Sequence, residues 1–242
     1  MLKSFGLIIL NCLFIQVCIV LFMLPFYWLY RRHLKINKKP SEDFNQDIEQ
    51  FFSSRYTNWL VFFWAATEAL FWFVIPEFLL ILLIFMRTRR KRELLFYDIY
   101  GTIAGTIVAF AIHLPERLID KLPYIQPGMV AQVRHWYDLH GLIGLIYQPF
   151  SGVPYKVFTH LAPHYHFFII TFLIFAVLVR ISRYAIIYGM LASVYPILHR
   201  FVYRNYPKLF IIGTIIFSVL LFKVYRSYGP GYQVSLVQLL FG

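Results

Sequence analysis

Residues 57–86, TNWLVFFWAATEALFWFVIPEFLLILLIFM, form a long apolar run interrupted near its middle by Glu68, Pro76 and Glu77. A plain membrane helix requires about 20 apolar residues. It has no use for a carboxylate at mid-depth, which is costly there, or for a proline that breaks the backbone ladder. Arg55 stands before the run, and Arg87, Arg89, Arg90, Lys91 and Arg92 follow it. Basic loops favour the cytoplasmic side of a membrane. Both ends are therefore expected there, with the run entering the bilayer, turning between Glu68 and Pro76, and returning. The pattern predicts a re-entrant helical hairpin.

A chain with 60% hydrophobic and 20% aromatic residues is neither a soluble globular domain nor a disordered one. The net charge of +12 sits in short loops between apolar runs, where it sets topology and meets anionic lipid head groups rather than nucleic acid. Cys12 and Cys18 both lie in the first apolar run and act there as small hydrophobes. No disulfide framework is implied.

Taken in order, residues 1–56 are expected to be an N-terminal transmembrane anchor, spanning 5–30, followed by a cytoplasmic connector. Residues 57–195 form the core, which opens with the interrupted run. A second span over 94–114 carries Gly101 and Gly105 in a GxxxG spacing that allows close helix approach. The proline-rich, charge-balanced segment 113–128 reads as an external loop with one short helix. In residues 139–167, Pro149, Gly152, Pro154 and Pro163 exclude a continuous ideal helix, so a second hairpin is expected, entered from outside, with its turn at Pro149, Gly152 and Pro154. A span over 168–195 follows. Residues 196–242 then supply a cytoplasmic loop and a C-terminal transmembrane helix over 209–225. The expected cytoplasmic loops hold six, five and three basic residues (31–55, 87–92 and 200–208), against six outside, which places the N-terminus outside the cytoplasm.

The predicted fold is an all-α polytopic membrane protein. Two re-entrant hairpins enter from opposite faces, each followed by a transmembrane helix, in the manner of an inverted repeat flanked by N- and C-terminal helices. In transporters that pattern puts the substrate site where interrupted elements meet. Broken backbone at membrane depth is tolerated only when buried in protein or lining a wet cavity. The two tips are therefore expected to face each other across a polar pocket.

Five charges fall inside apolar surroundings: Glu68, Glu77, Lys156, Arg180 and Arg183. At about 2.5 to 3.5 kcal/mol each, they would cost about 12 to 18 kcal/mol if uncompensated, against a typical net stability of about 5 to 15 kcal/mol. They must pair, snorkel or meet water. Arg180 and Arg183 are three residues apart on a helix, and two guanidinium forks side by side suit a phosphate. An internal ion pair is the competing role. Glu77 after Pro76 also suits the first turn of a returning half-helix, and Lys156 has a stem long enough to snorkel. Glu68 and Glu77 are the candidates for proton coupling; Arg180, Arg183 and Lys156 are the candidates for a lipid head group. His160, His164 and His166 have no carboxylate or cysteine near them in sequence and are read as interfacial rather than metal-ligating. Ser151-Gly152 with a downstream histidine is too little for a serine hydrolase. No catalytic group, metal or cofactor is expected.

These residues resemble the DedA family of membrane proteins, also called the VTT or SNARE-associated family, and most closely its YqaA-like branch. The matching stretch is GVPYKVFTHLAP over 152–163, with Arg180 and Arg183 where that branch has paired arginines. Glu68 with Ile75-Pro76-Glu77 is similar to the family's first-hairpin pattern. The chain departs from it in having Pro76 alone before the acid and Pro163 where a glycine is usual. The resemblance covers roughly 58–190. It implies a translocase, flippase- or scramblase-like, that moves phospholipid or polyprenyl phosphate such as undecaprenyl phosphate between leaflets of a bacterial inner membrane. Protons are the implied coupling ion, and an oligomer is compatible with it. Two other classes stay open: a membrane-embedded lipid-modifying enzyme, and a structural or membrane-homeostasis protein without transport activity.

Overall fold

Backbone polar groups find no water inside a bilayer, so apolar stretches that cross one close their hydrogen bonds within a helix. The computed structural model describes residues 2–37, 44–75, 81 and 91–229. Among these, every regular element is helical: α1 (Leu2–Asn37), α2 (Phe44–Phe52), α3 (Arg55–Leu70), α4 (Lys91–Ile112), α5 (Glu116–Ile119), α6 (Pro127–His140), α7 (Gln148–Ser151), α8 (Tyr155–Leu161), α9 (Ile169–Arg204) and α10 (Tyr206–Ser227). Tighter 3-10 turns occupy Gly141–Tyr147 and Ala162–Tyr165. Four described helices are long and apolar enough to cross a membrane, over Ile9–His33, Glu93–Ile112, Ile169–Met190 and Lys208–Ser227. The described residues are those of a helical integral membrane protein.

The interruptions fall close to where the sequence places them. α3 stops at Leu70, and 71–75 are irregular; Phe71 and Trp72 both return their N–H to the Thr67 carbonyl. Pro76 and Glu77 lie outside the described residues, as do Arg87, Arg89 and Arg90. In the second interrupted stretch Pro149 opens the four-residue α7, and Gly152 ends it in the left-handed region at φ 72°. Pro154, extended at φ −61° and ψ 142°, leads into α8. The Ser151 hydroxyl accepts from the Val153 N–H at 3.1 Å and closes the turn over Gly152.

Two elements depart from the sequence reading. The cytoplasmic loop expected after residue 195 is helix as far as Arg204, because YPILHRFVYR contains no capping glycine and α9 continues through Pro196. The break is confined to Asn205, whose side chain donates to the Phe201 carbonyl at 3.0 Å, and Pro207 then sits in the first turn of α10, where its missing N–H costs nothing. α6 had no counterpart in the sequence reading. Its buried residues Met129, Val130, Val133, Trp136 and Tyr137 recur at helical spacing, which is the signal that marks it.

The chain divides into two compact units. The first comprises 1–64, 76–98 and 187–222. In it α2 is held by a buried carboxylate, Asp47, which accepts from Tyr27 at 2.5 Å and Arg31 at 3.2 Å, both on α1. Thr57 at the start of α3 donates to the Phe51 carbonyl at 2.8 Å and caps the end of α2. The connector is thereby folded onto the anchor helix.

The second unit comprises 65–75, 99–186 and 223–242. Its core gathers Trp136 and Tyr137 of α6, Phe158 and Leu161 of α8, and Phe172 of α9, all buried. Gly105 lets α4 approach the end of α3 closely: a Cβ there would run into the Ala66 backbone. This is the close contact that the GxxxG spacing allows.

Candidate functional site

The last turn of α3 leaves its carbonyls without intrahelical donors, as every helix end does. Here α8 supplies them. Thr159 donates to the Ala69 carbonyl at 2.8 Å, His160 Nε2 lies 2.9 Å from the Leu70 carbonyl, and Lys156 Nζ donates to the Phe71 carbonyl at 2.9 Å. Lys156 also donates to the Pro123 carbonyl. Three side chains within five residues of α8 thus take three successive carbonyls of a segment some 85 to 90 positions earlier. The partial negative charge of a helix C-terminus favours a cation there, and Lys156 is wholly buried against it.

One turn back on α3 stands Glu68, 1% exposed, which accepts from Arg180 of α9, 4% exposed. The Arg180 guanidinium lies 5.2 Å from the centre of the Tyr155 ring, a cation–π geometry, and 3.4 Å from the Tyr184 hydroxyl. Tyr155 is fixed in turn by a 3.0 Å hydrogen bond with Thr106 of α4, itself donating to the Thr102 carbonyl at 2.7 Å. The pair therefore sits among α3, α4, α8 and α9. Each charge has a partner of opposite sign, as burial requires.

The structure brings Glu68, Lys156 and Arg180 into one buried polar cluster and sets Arg183 apart from it. Arg183 is only partly buried and donates to the Gln148 side chain at 3.0 Å. The two arginines are not a single fork: three residues of helix turn them about 60° apart, and each meets a different element. Pro149, Gly152 and Pro154 shape the turn that carries Gln148 to that contact and α8 to the carbonyls. His160, read from sequence as interfacial, is instead 3% exposed and bound to the end of α3. His164 lies 2.9 Å from the Leu114 carbonyl, and among the described residues no group of three potential ligands could hold a metal.

The sequence reading gave no role to Tyr155, Thr159, Thr106 and Tyr184 at the cluster, or to Gln148 beside Arg183. Nor did it give one to the end of α10. Tyr228 donates to the Ser151 carbonyl at 2.7 Å, and a Cβ on Gly152 would come within 2.9 Å of Val224. The final helix, placed outside the core by the resemblance, pins the turn that the core depends on.

No family model matches this chain, and no solved structure matches it. Among curated proteins it is similar to one from Haemophilus influenzae described only as an uncharacterized protein. The two are 25% identical over 134 residues, which is 53% of this chain and 68% of that one.

Proposed function

We propose that this protein is a lipid translocase, flippase- or scramblase-like, that moves an anionic phospholipid or polyprenyl phosphate between the leaflets of a bacterial inner membrane, with proton coupling at Glu68. One observation carries the reading: the Glu68–Arg180 pair, closed from solvent beside the end of α3 on which α8 is bound. Ionisable groups of this kind inside membrane proteins mark substrate and proton pathways, and interrupted helices supply the sites of transporters. On this reading residues 57–86 and 139–167 are re-entrant hairpins from opposite faces, the N-terminus lies outside, and the chain is a member of the DedA family.

Arg180 is the group through which lipid and proton communicate. A phosphate that engages its guanidinium draws it from Glu68 and leaves a buried carboxylate without its cation. A proton then neutralises that carboxylate, so lipid binding and proton uptake become reciprocally linked. The chain needs no bond-making group for this, and the reading assigns it no catalytic residue or cofactor.

A second reading has its own support. Lys156, Thr159 and His160 close the end of α3 with good hydrogen-bond geometry, as a purely structural lock would. Leaflet-resolved movement of a labelled lipid in proteoliposomes separates the possibilities. The translocase changes the lipid's leaflet, a lipid-modifying enzyme changes its chemistry, and a structural protein changes neither.

A further inference from the structure

Beside the Arg183–Gln148 contact lies a groove of about 250 Å³. Its walls come from two segments of one unit: Ile146, Pro149 and Phe150 before the Gly152 turn, and Leu178, Val179 and Ser182 on α9. Ser182 turns its hydroxyl back to the Val179 carbonyl at 2.7 Å, so the one polar wall residue is satisfied within its own helix. The surface presented to an occupant is hydrocarbon. Two of the wall residues, Ser182 and Pro149, are the chain neighbours of Arg183 and Gln148, whose side chains meet at 3.0 Å.

We propose that this groove seats one hydrocarbon chain of an anionic lipid whose phosphate rests on Arg183. The site rests on the translocase reading for its purpose, and three features select this occupant. Phe150 and Leu178 are 62% and 58% exposed, and the α9 wall lies in the membrane-crossing window Ile169–Met190, so what meets them is lipid. Arg183 stands seven residues before Met190, about 10 Å along the axis. A guanidinium on a long stem at that depth reaches the level of a phosphate. Finally, Arg180 is closed on Glu68 whereas Arg183 is only partly buried, which makes Arg183 the reachable fork of the two. Pro149 fixes the opposite wall, so the chain enters a preformed slot and loses less on ordering it. An arriving lipid would bind here first, one turn of α9 from Arg180.

The test uses the full chain in phosphatidylcholine nanodiscs carrying a phosphatidic acid probe with a diazirine in its acyl chain. Adducts should concentrate on Phe150, Leu178 and Val179 and saturate as the probe fraction rises. Arg183→Gln should lower them about tenfold, the loss of one charge-assisted contact. Ser182→Trp fills the groove and keeps Arg183; it should displace the adducts from these residues while leaving the melting temperature unchanged. Equal labelling by a phosphatidylcholine probe, or phosphatidic acid labelling unmoved by either variant, overturns the site and reduces it to ordinary lipid contact. If Arg183→Gln fails to fold, the Ser182→Trp result decides alone. Absence of saturable labelling in the parent chain, with normal lipid movement in vesicles, rejects this groove alone. Intact labelling with no lipid movement keeps the groove and rejects the translocase.

Discussion

Two buried carboxylates are each held by an arginine, one in each unit, and they are built differently. Asp47 accepts from Arg31 only 16 residues away, and from Tyr27 as well; the Arg31 side chain is 38% exposed. Glu68 accepts from Arg180 across 112 residues, with both side chains almost wholly enclosed. The first pair folds a short connector onto the helix before it, and its arginine stays open to water. In the second both charges are closed off from water, so separating them strands a buried charge unless another ion or a proton takes the partner's place. That contrast is the reason to assign chemistry to Glu68 and only local structure to Asp47.

Removing one arginine at a time sharpens the comparison most. Arg180→Met leaves Glu68 buried without its cation and should cost about 3–5 kcal/mol, read as a large fall in melting temperature of the purified protein. Adding Glu68→Gln to it should restore most of the loss, because the uncompensated charge is gone. Failure of the double variant to recover would show that Arg180 acts through packing. Lys156→Met comes next. It strips a donor from the Phe71 and Pro123 carbonyls and should cost about 1–3 kcal/mol, with faster proteolysis at 71–75 as its local sign.

Gly152→Ala should cost about 1–2 kcal/mol, since the added methyl meets Val224 at 2.9 Å on a backbone held at φ 72°. Val224→Ala in the same chain should return part of that loss if α10 pins the turn. Arg31→Met should be the mildest, under about 1 kcal/mol, because a partly exposed pair contributes little and Tyr27 still binds Asp47. A drop as large as that of Arg180→Met would abolish the distinction between the two units.

What the sequence made legible was whatever hydrocarbon forbids. The cost of isolated charges in an apolar run singled out Glu68, Glu77, Lys156, Arg180 and Arg183; Glu68, Lys156 and Arg180 lie in the buried cluster, Arg183 stands apart from it, and Glu77 lies outside the described residues. Pro149, Gly152 and Pro154 located the second break, and long apolar runs located the four candidate spans. Partner choice was less legible. Nothing in the spacing of Arg180 and Arg183 says that one meets Glu68 and the other Gln148, because a 60° difference on one helix becomes decisive only once neighbours are packed on either side. His160 was misread for a similar reason: its partner is a helix end 90 residues away, which leaves no local mark. α6 was overlooked because its polar residues mask the spacing of its buried ones, and α9 ran past its expected end because a lone Pro196 kinks or strains a helix without always stopping it.

The most direct test of the central claim is the pH profile of lipid movement by the Glu68→Gln variant in proteoliposomes, beside the parent chain. The amide keeps the volume and an acceptor oxygen for Arg180 but cannot exchange a proton. The account predicts that the parent moves a labelled anionic lipid between leaflets with a pH-dependent rate, and that the folded variant loses that dependence. A variant of normal stability whose pH profile matches the parent's would contradict the coupling assigned to Glu68, and a parent no faster than empty vesicles at any pH would contradict translocation itself.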